Sequence, residues 1–61
     1  MTFVLYRDKT QQYRWALFAE NNRQIAASGE GYHNKGDALA MITKMKQEAP
    51  TARVNDETTK P

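Results

Sequence analysis

Apolar positions alternate along the first half of the chain and then change period. Phe3-Val4-Leu5-Tyr6 is a short β-rich run that gives way to the polar stretch Arg7-Asp8-Lys9-Thr10-Gln11, which reads as a hairpin loop. In Tyr13-Arg14-Trp15-Ala16-Leu17-Phe18-Ala19, residues Tyr13, Trp15, Leu17 and Ala19 share one face, and Arg14, Ala16 and Phe18 the other. Glu20-Asn21-Asn22-Arg23 follows. Asn tolerates positive φ, so Asn21-Asn22 predicts a tight turn across which Glu20 and Arg23 are placed to pair. Gln24-Ile25-Ala26-Ala27-Ser28 then reads as a third strand, and short polar loops between consecutive runs imply an antiparallel meander.

Gly29-Glu30-Gly31 breaks this pattern. It predicts a turn needing positive φ, with room for Tyr32 to come close to the backbone. Beyond it the period changes to that of a helix. Asn34 is a good N-cap, Asp37 lies near the positive end of the helix dipole, and Ala38, Leu39, Met41, Ile42, Met45 and Ala49 recur at spacings of three and four. Lys44, Lys46, Gln47 and Glu48 fall on the wet side, and Pro50 stops the helix at Ala49. Ala52-Arg53-Val54 is expected as a short fourth strand, and residues 55–61 as a disordered polar tail.

The fold class is therefore α+β, in the order β-β-β-α-β, with a small antiparallel sheet packed on one helix in a single domain over residues 1–54. The expected core is Phe3, Leu5, Trp15, Leu17, Ile25, Leu39, Ile42 and Met45, with Tyr13 or Tyr32 at its edge. That is few groups for a chain of 61 residues, near the lower limit for independent folding. Chains this small usually add disulfides, a metal or a partner subunit. With no Cys and one His, the first two are closed off, which leaves self-association as the expectation. No apolar run approaches a membrane span, and Met1-Thr2-Phe3-Val4-Leu5-Tyr6 lacks a basic leader, so no membrane partner and a cytoplasmic location are expected. The net charge of +2, with eight basic and five acidic residues over 1–54, is too mild for a general nucleic-acid binder.

Phe3-Val4-Leu5-Tyr6-Arg7-Asp8, Tyr13-Arg14-Trp15, Ile25-Ala26-Ala27-Ser28-Gly29-Glu30-Gly31-Tyr32, Lys35 and Ala49-Pro50 together resemble the YegP-like family of small proteins, over residues 3–56. The resemblance implies a β-β-β-α-β domain. Some members carry two copies in tandem, which implies that a single copy pairs as a homodimer. It implies no established activity. In the family the second strand tends to read Tyr-Arg-Trp-Arg-Leu-Lys, whereas this chain has Ala16 and Phe18 at the two later basic places. With Phe3, Leu5, Trp15 and Leu17 turned to the helix, Val4, Tyr6, Arg14, Ala16 and Phe18 form an outer face that is unusually apolar, and these five are the candidate partner or dimer interface.

Candidate chemistry is sparse. His33, flanked by Glu30 and Asp37, is read as an exposed residue at the helix start, because no nucleophile or oxyanion hole accompanies it. Ser28 before Gly29 lacks the glycine pattern of a nucleophile elbow, and Glu30 argues against an anion cradle at Gly29-Glu30-Gly31. No catalytic residue, metal or cofactor is expected. The expected role is a homodimeric, non-catalytic binding or adaptor protein with an unidentified protein partner. The alternative is single-strand nucleic-acid binding, in which Arg7, Arg14, Tyr6 and Phe18 combine charge with aromatic stacking.

Overall fold

The alternating runs form three strands of one antiparallel sheet, β1 (Thr2–Arg7), β2 (Tyr13–Phe18) and β3 (Gln24–Ala27), in spatial order β1-β2-β3. A helix, α1 (Lys35–Glu48), follows and runs into a 3-10 turn over Ala49–Thr51. The structure is a computed structural model that describes residues 1–59. The register pairs Phe3 with Leu17 and Leu5 with Trp15 on one face, and Thr2 with Phe18, Val4 with Ala16 and Tyr6 with Arg14 on the other. Helix α1 lies over the first face, and Phe3 and Leu17 of the sheet with Ile42 and Met45 of the helix line the space between them. Phe3 and Trp15 pack edge to face with ring centroids 5.5 Å apart, the geometry that aromatic quadrupoles favour. The facing read from the alternation is thus the facing of the fold.

The two hairpins use one loop design. In the first, the Gln11 amide donates to the Asp8 carbonyl (3.0 Å) and the Asp8 amide to the Gln12 carbonyl (2.9 Å), with Gln11 at φ 69°. In the second, the Asn22 amide donates to the Ala19 carbonyl (3.0 Å) and the Ala19 amide to the Arg23 carbonyl (2.9 Å), with Asn22 at φ 63°. A turn followed by one left-handed residue matches the twist of the flanking strands. The turn at Asn21-Asn22 is as expected, but Glu20 pairs with the Met1 amino group (2.5 Å) rather than with Arg23. Asn21 holds the Arg23 amide through its side chain instead (3.1 Å).

The Gly29-Glu30-Gly31 segment corrects a further expectation, because no glycine has positive φ. Gly31 is needed for space: a Cβ there would lie 2.8 Å from the Gln12 Cβ, beside the bridge that pairs Tyr13 with Tyr32. Helix α1 begins after Asn34, with Asp37 in its first turn, and ends before Pro50, as the sequence indicates.

The core is smaller than the apolar pattern suggested. Trp15, Ala16 and Ala38 are buried, and Phe3, Leu5, Leu17, Ile42 and Met45 are half-buried. Ile25 and Leu39 are corrections, 47% and 45% exposed. The helix crosses β1 and β2 and does not reach β3, so nothing covers Ile25, which also sits where the β2–β3 register shifts. The helix centres its contact on Ala38, Ile42 and Met45, one residue round from Leu39. The β-β-β-α order holds, but the closing strand expected at Ala52–Val54 is absent from the sheet. The chain leaves the 3-10 turn extended at Ala52 (φ −64°, ψ 142°), and Val54 is 94% exposed, because one apolar side chain on a three-residue segment finds no surface of its own protomer to bury. Residues 55–59 are exposed, with a local turn in which Asp56 accepts from the Thr58 amide and hydroxyl; Lys60 and Pro61 of the expected polar tail lie outside the described residues.

Gln11 is the residue whose backbone conformation costs most. A non-glycine side chain in the left-handed region costs about 1–2 kcal/mol, partly offset by the entropy that glycine would lose. Gln11→Gly is expected to stabilise the protein by about 0.5–1 kcal/mol in urea unfolding. An unchanged or lower midpoint would contradict the assigned loop geometry.

Candidate functional site

The sheet face turned away from the helix carries the five residues singled out in the sequence. Val4, Ala16 and Ala27 form one row across the three strands, with Tyr6 and Arg14 paired on one side of it and Thr2 and Phe18 on the other. Alternation brings all five candidate residues, Val4, Tyr6, Arg14, Ala16 and Phe18, onto one surface. Ala16 is only 3% exposed, because its methyl group lies below the larger side chains that flank it on β1 and β2. Val4 and Tyr6 are exposed, and Arg14 and Phe18 half-buried. A shallow depression of about 350 Å³ opens between Val4, Phe18 and the second hairpin loop.

Arg14 does not offer a free charge to this face. Its Nε donates to Asp8 Oδ2 at 2.6 Å, while Asp8 Oδ1 accepts from the Thr10 hydroxyl (2.7 Å), the Thr10 amide (2.8 Å) and the Gln12 amide (3.1 Å). The Thr10 hydroxyl and the Arg14 guanidinium, helped by those amides, hold the Asp8 carboxyl well below the usual carboxylate range. The arrangement ties the first hairpin loop to the outer face and leaves that face nearly neutral. The positive potential that single-strand binding needs is reduced there accordingly.

The helix side holds a second apolar surface that the sequence pattern concealed. Between β1, the end of β2 and the last turns of α1 lies an open groove of about 760 Å³, lined by Phe3, Leu17, Ile42, Met45, Ala49 and Pro50 with Met1, Thr2 and Lys46 at its margin. The spacing of three and four in α1 marked Ile42 and Met45 as inward-facing, but could not reveal that the sheet beneath is wider than the helix. Strand β1 borders this groove and forms one edge of the sheet among the described residues.

The residues weighed for chemistry are not assembled into a centre. His33 is exposed and makes no hydrogen bond or ion pair with Glu30 or Asp37. Ser28 is buried and structural: its Oγ accepts from the Trp15 amide at 3.2 Å, and its own amide donates to the Trp15 carbonyl at 2.9 Å, extending the β2–β3 ladder past Ala27. Among the described residues, no three His, Cys, Asp or Glu side chains gather as a metal site would require. Among the described residues, no helix is long and apolar enough to cross a membrane.

The Asp8 cluster has a defined pH signature. A depressed carboxylate pKa contributes stability that is fully present above its unfolded value of 3.8 and is lost as pH falls below it toward the folded value. The stability difference between the natural protein and Asp8→Asn, measured by thermal unfolding, is expected to be constant above about pH 5 and to shrink steadily below pH 4. A difference that does not change between about pH 6, above the Asp reference value, and about pH 3, below it, would contradict this account.

Comparison with known proteins adds a family to this geometry. Residues 8–56 match the family described as Domain of unknown function (DUF1508). A UPF0339 protein of Treponema denticola is 38% identical over 52 residues, covering 85% of this chain and 88% of that protein. A UPF0339 protein in the ptx operon 5′ region of Stutzerimonas stutzeri is 41% identical over 49 residues, covering 80% of this chain but 43% of that longer protein. Among solved structures, an NMR structure of a protein from Haloferax volcanii superposes with a TM-score of 0.83 at 38% identity, covering 90% of this chain and 92% of the other. An NMR structure of a protein from Agrobacterium tumefaciens superposes with a TM-score of 0.74 at 30% identity, covering 95% and 92%. The residues that suggested a YegP-like domain, the β-β-β-α order and these matches agree: the chain belongs to the DUF1508 (UPF0339) family.

Proposed function

We propose that this protein is a small, non-catalytic homodimeric binding or adaptor protein. In this reading a second copy closes the helix-side groove, and the outer face, with Val4, Tyr6 and Phe18, is presented to a protein partner. The observation that carries the reading is surface area. The chain exposes 5244 Å² at a mass of 7.0 kDa, whereas a compact monomer of that mass exposes about 4,000 Å². The radius of gyration agrees, at 13.8 Å against about 10.5 Å for a compact chain of this length. The excess of about 1,200 Å² is carried in part by the exposed residues 52–59 and in part by the open groove, and it is of the order of the roughly 800 Å² that each partner contributes to an ordinary stable interface.

The seam follows from what lacks cover. The groove is apolar and open, strand β1 is an edge, and the extended Ala52–Val54 segment has an exposed Val54 and no strand to pair with. In the proposed dimer this segment adds to the partner's sheet and Val54 enters the partner's groove, which removes an unpaired strand edge and an exposed apolar side chain in one step. The Stutzerimonas stutzeri relative supports pairing, since this chain spans 43% of it and the remainder has room for a second unit of similar size.

Sedimentation equilibrium at micromolar concentration tests the proposal. A mass near twice 7.0 kDa is expected for the natural chain, and one near 7.0 kDa for Val54→Asp. Phe18→Glu should keep the dimer mass, because the outer face is not the seam. A natural chain of monomer mass would defeat the proposal, and a Phe18→Glu monomer that stays folded by circular dichroism would move the seam to the outer face.

A further inference from the structure

At the other end of the helix-covered face, a separate cavity of about 270 Å³ is lined by Leu5, Tyr6, Arg7, Tyr13 and Lys35. Two of these five carry positive charge and none is acidic. Alternation along β1 sends Arg7 to this face, opposite Tyr13 in the register, and its guanidinium lies over the Tyr13 ring at 4.8 Å from the centroid. The ring contact restrains the guanidinium, whose N–H donors make no hydrogen bond among the described residues. The neighbouring carboxylate is no competitor, because Asp8 is committed to Arg14, Thr10 and Gln12. Neither Arg7 nor Lys35 has an acidic partner among the described residues. Two like charges thus line one small depression, with no acidic partner to either among the described residues.

We propose that this cavity binds a small phosphate-bearing anion, held by a fork from Arg7 and a point charge from Lys35. Charge selects the ligand class: a phosphate or phosphomonoester carries about −1.5 to −2 at neutral pH and matches two cations, whereas a single carboxylate balances only one. Arg gives planar two-point recognition of phosphate oxygens, and Lys supplies the second charge. The depression, of about 270 Å³, has room for a phosphoryl group with a few attached atoms. The site shares no residue with the groove and only Tyr6 with the outer face, and does not depend on the proposed dimer.

Amide chemical shifts of the full chain, followed during titration at constant ionic strength, test the site. One arm uses inorganic phosphate, a second glycerol phosphate and a third a single-stranded oligonucleotide. Saturable shifts centred on Arg7, Tyr13, Lys35 and Gly36 are expected with the first two, and the tighter of the pair tells free phosphate from an ester. Arg7→Gln and Lys35→Gln should each weaken binding about tenfold or more, and circular dichroism would show that these exposed positions leave the fold intact. Shifts that stay linear into the tens of millimolar, or that persist unchanged in both variants, overturn the proposal. So does binding of the oligonucleotide without binding of either small phosphate.

Discussion

A helix is about 10 Å across with its side chains, and a three-stranded sheet is wider than one helix can roof. Helix α1 therefore crosses β1 and β2 and leaves β3 and the far end of the groove uncovered. Most other features follow from that mismatch. Among the described residues only Trp15, Ala16 and Ala38 of the apolar side chains are buried, and two of those are alanines, so the interior contributes little hydrophobic free energy for the entropy it must offset. The chain has no Cys with which to build a staple. The proposed second copy would cover part of the apolar surface that is left exposed.

Polar contacts take up part of the work of holding the sheet. Asp8 gathers two amides, a hydroxyl and the Arg14 guanidinium at one loop, and Ser28 carries the ladder one residue past the end of β3. Gly31 lets the chain pass close to Gln12 so that Tyr32 can pair with Tyr13. These contacts define the register of a sheet whose core is too thin to do so alone. They also separate the surfaces by character: a neutral apolar outer face, an apolar groove on one end of the inner face, and a positive cavity on the other.

Much of this was legible in the sequence, and the failures share a cause. Period-two alternation in Tyr13–Phe18 correctly assigned Trp15 and Leu17 to the helix side and Arg14, Ala16 and Phe18 to the other, because alternation is a local property of a strand. Asn22, Asn34 and Pro50 marked a turn, a helix start and a helix stop for equally local reasons. Ile25, Leu39 and the Ala52–Val54 strand failed because their fate depends on how far one element reaches over another, which no local pattern encodes. The register places Val4, Tyr6, Arg14, Ala16 and Phe18 on one face of the sheet, with Ala16 buried there, but the pairing of Arg14 with Asp8 requires knowing how the first hairpin loop curls back. The Arg7–Lys35 cavity was hidden for the same reason, since its cations lie 28 positions apart and meet only when the helix folds back over β1.

In the proposed dimer a second copy completes this fold, and the concentration dependence of the thermal midpoint is the direct test of that linkage. If folding and pairing are linked, the midpoint rises with protein concentration by about 5 °C per tenfold for two chains of this length. A midpoint that stays constant across a hundredfold range, about 10 °C short of the linked expectation, would contradict the claim.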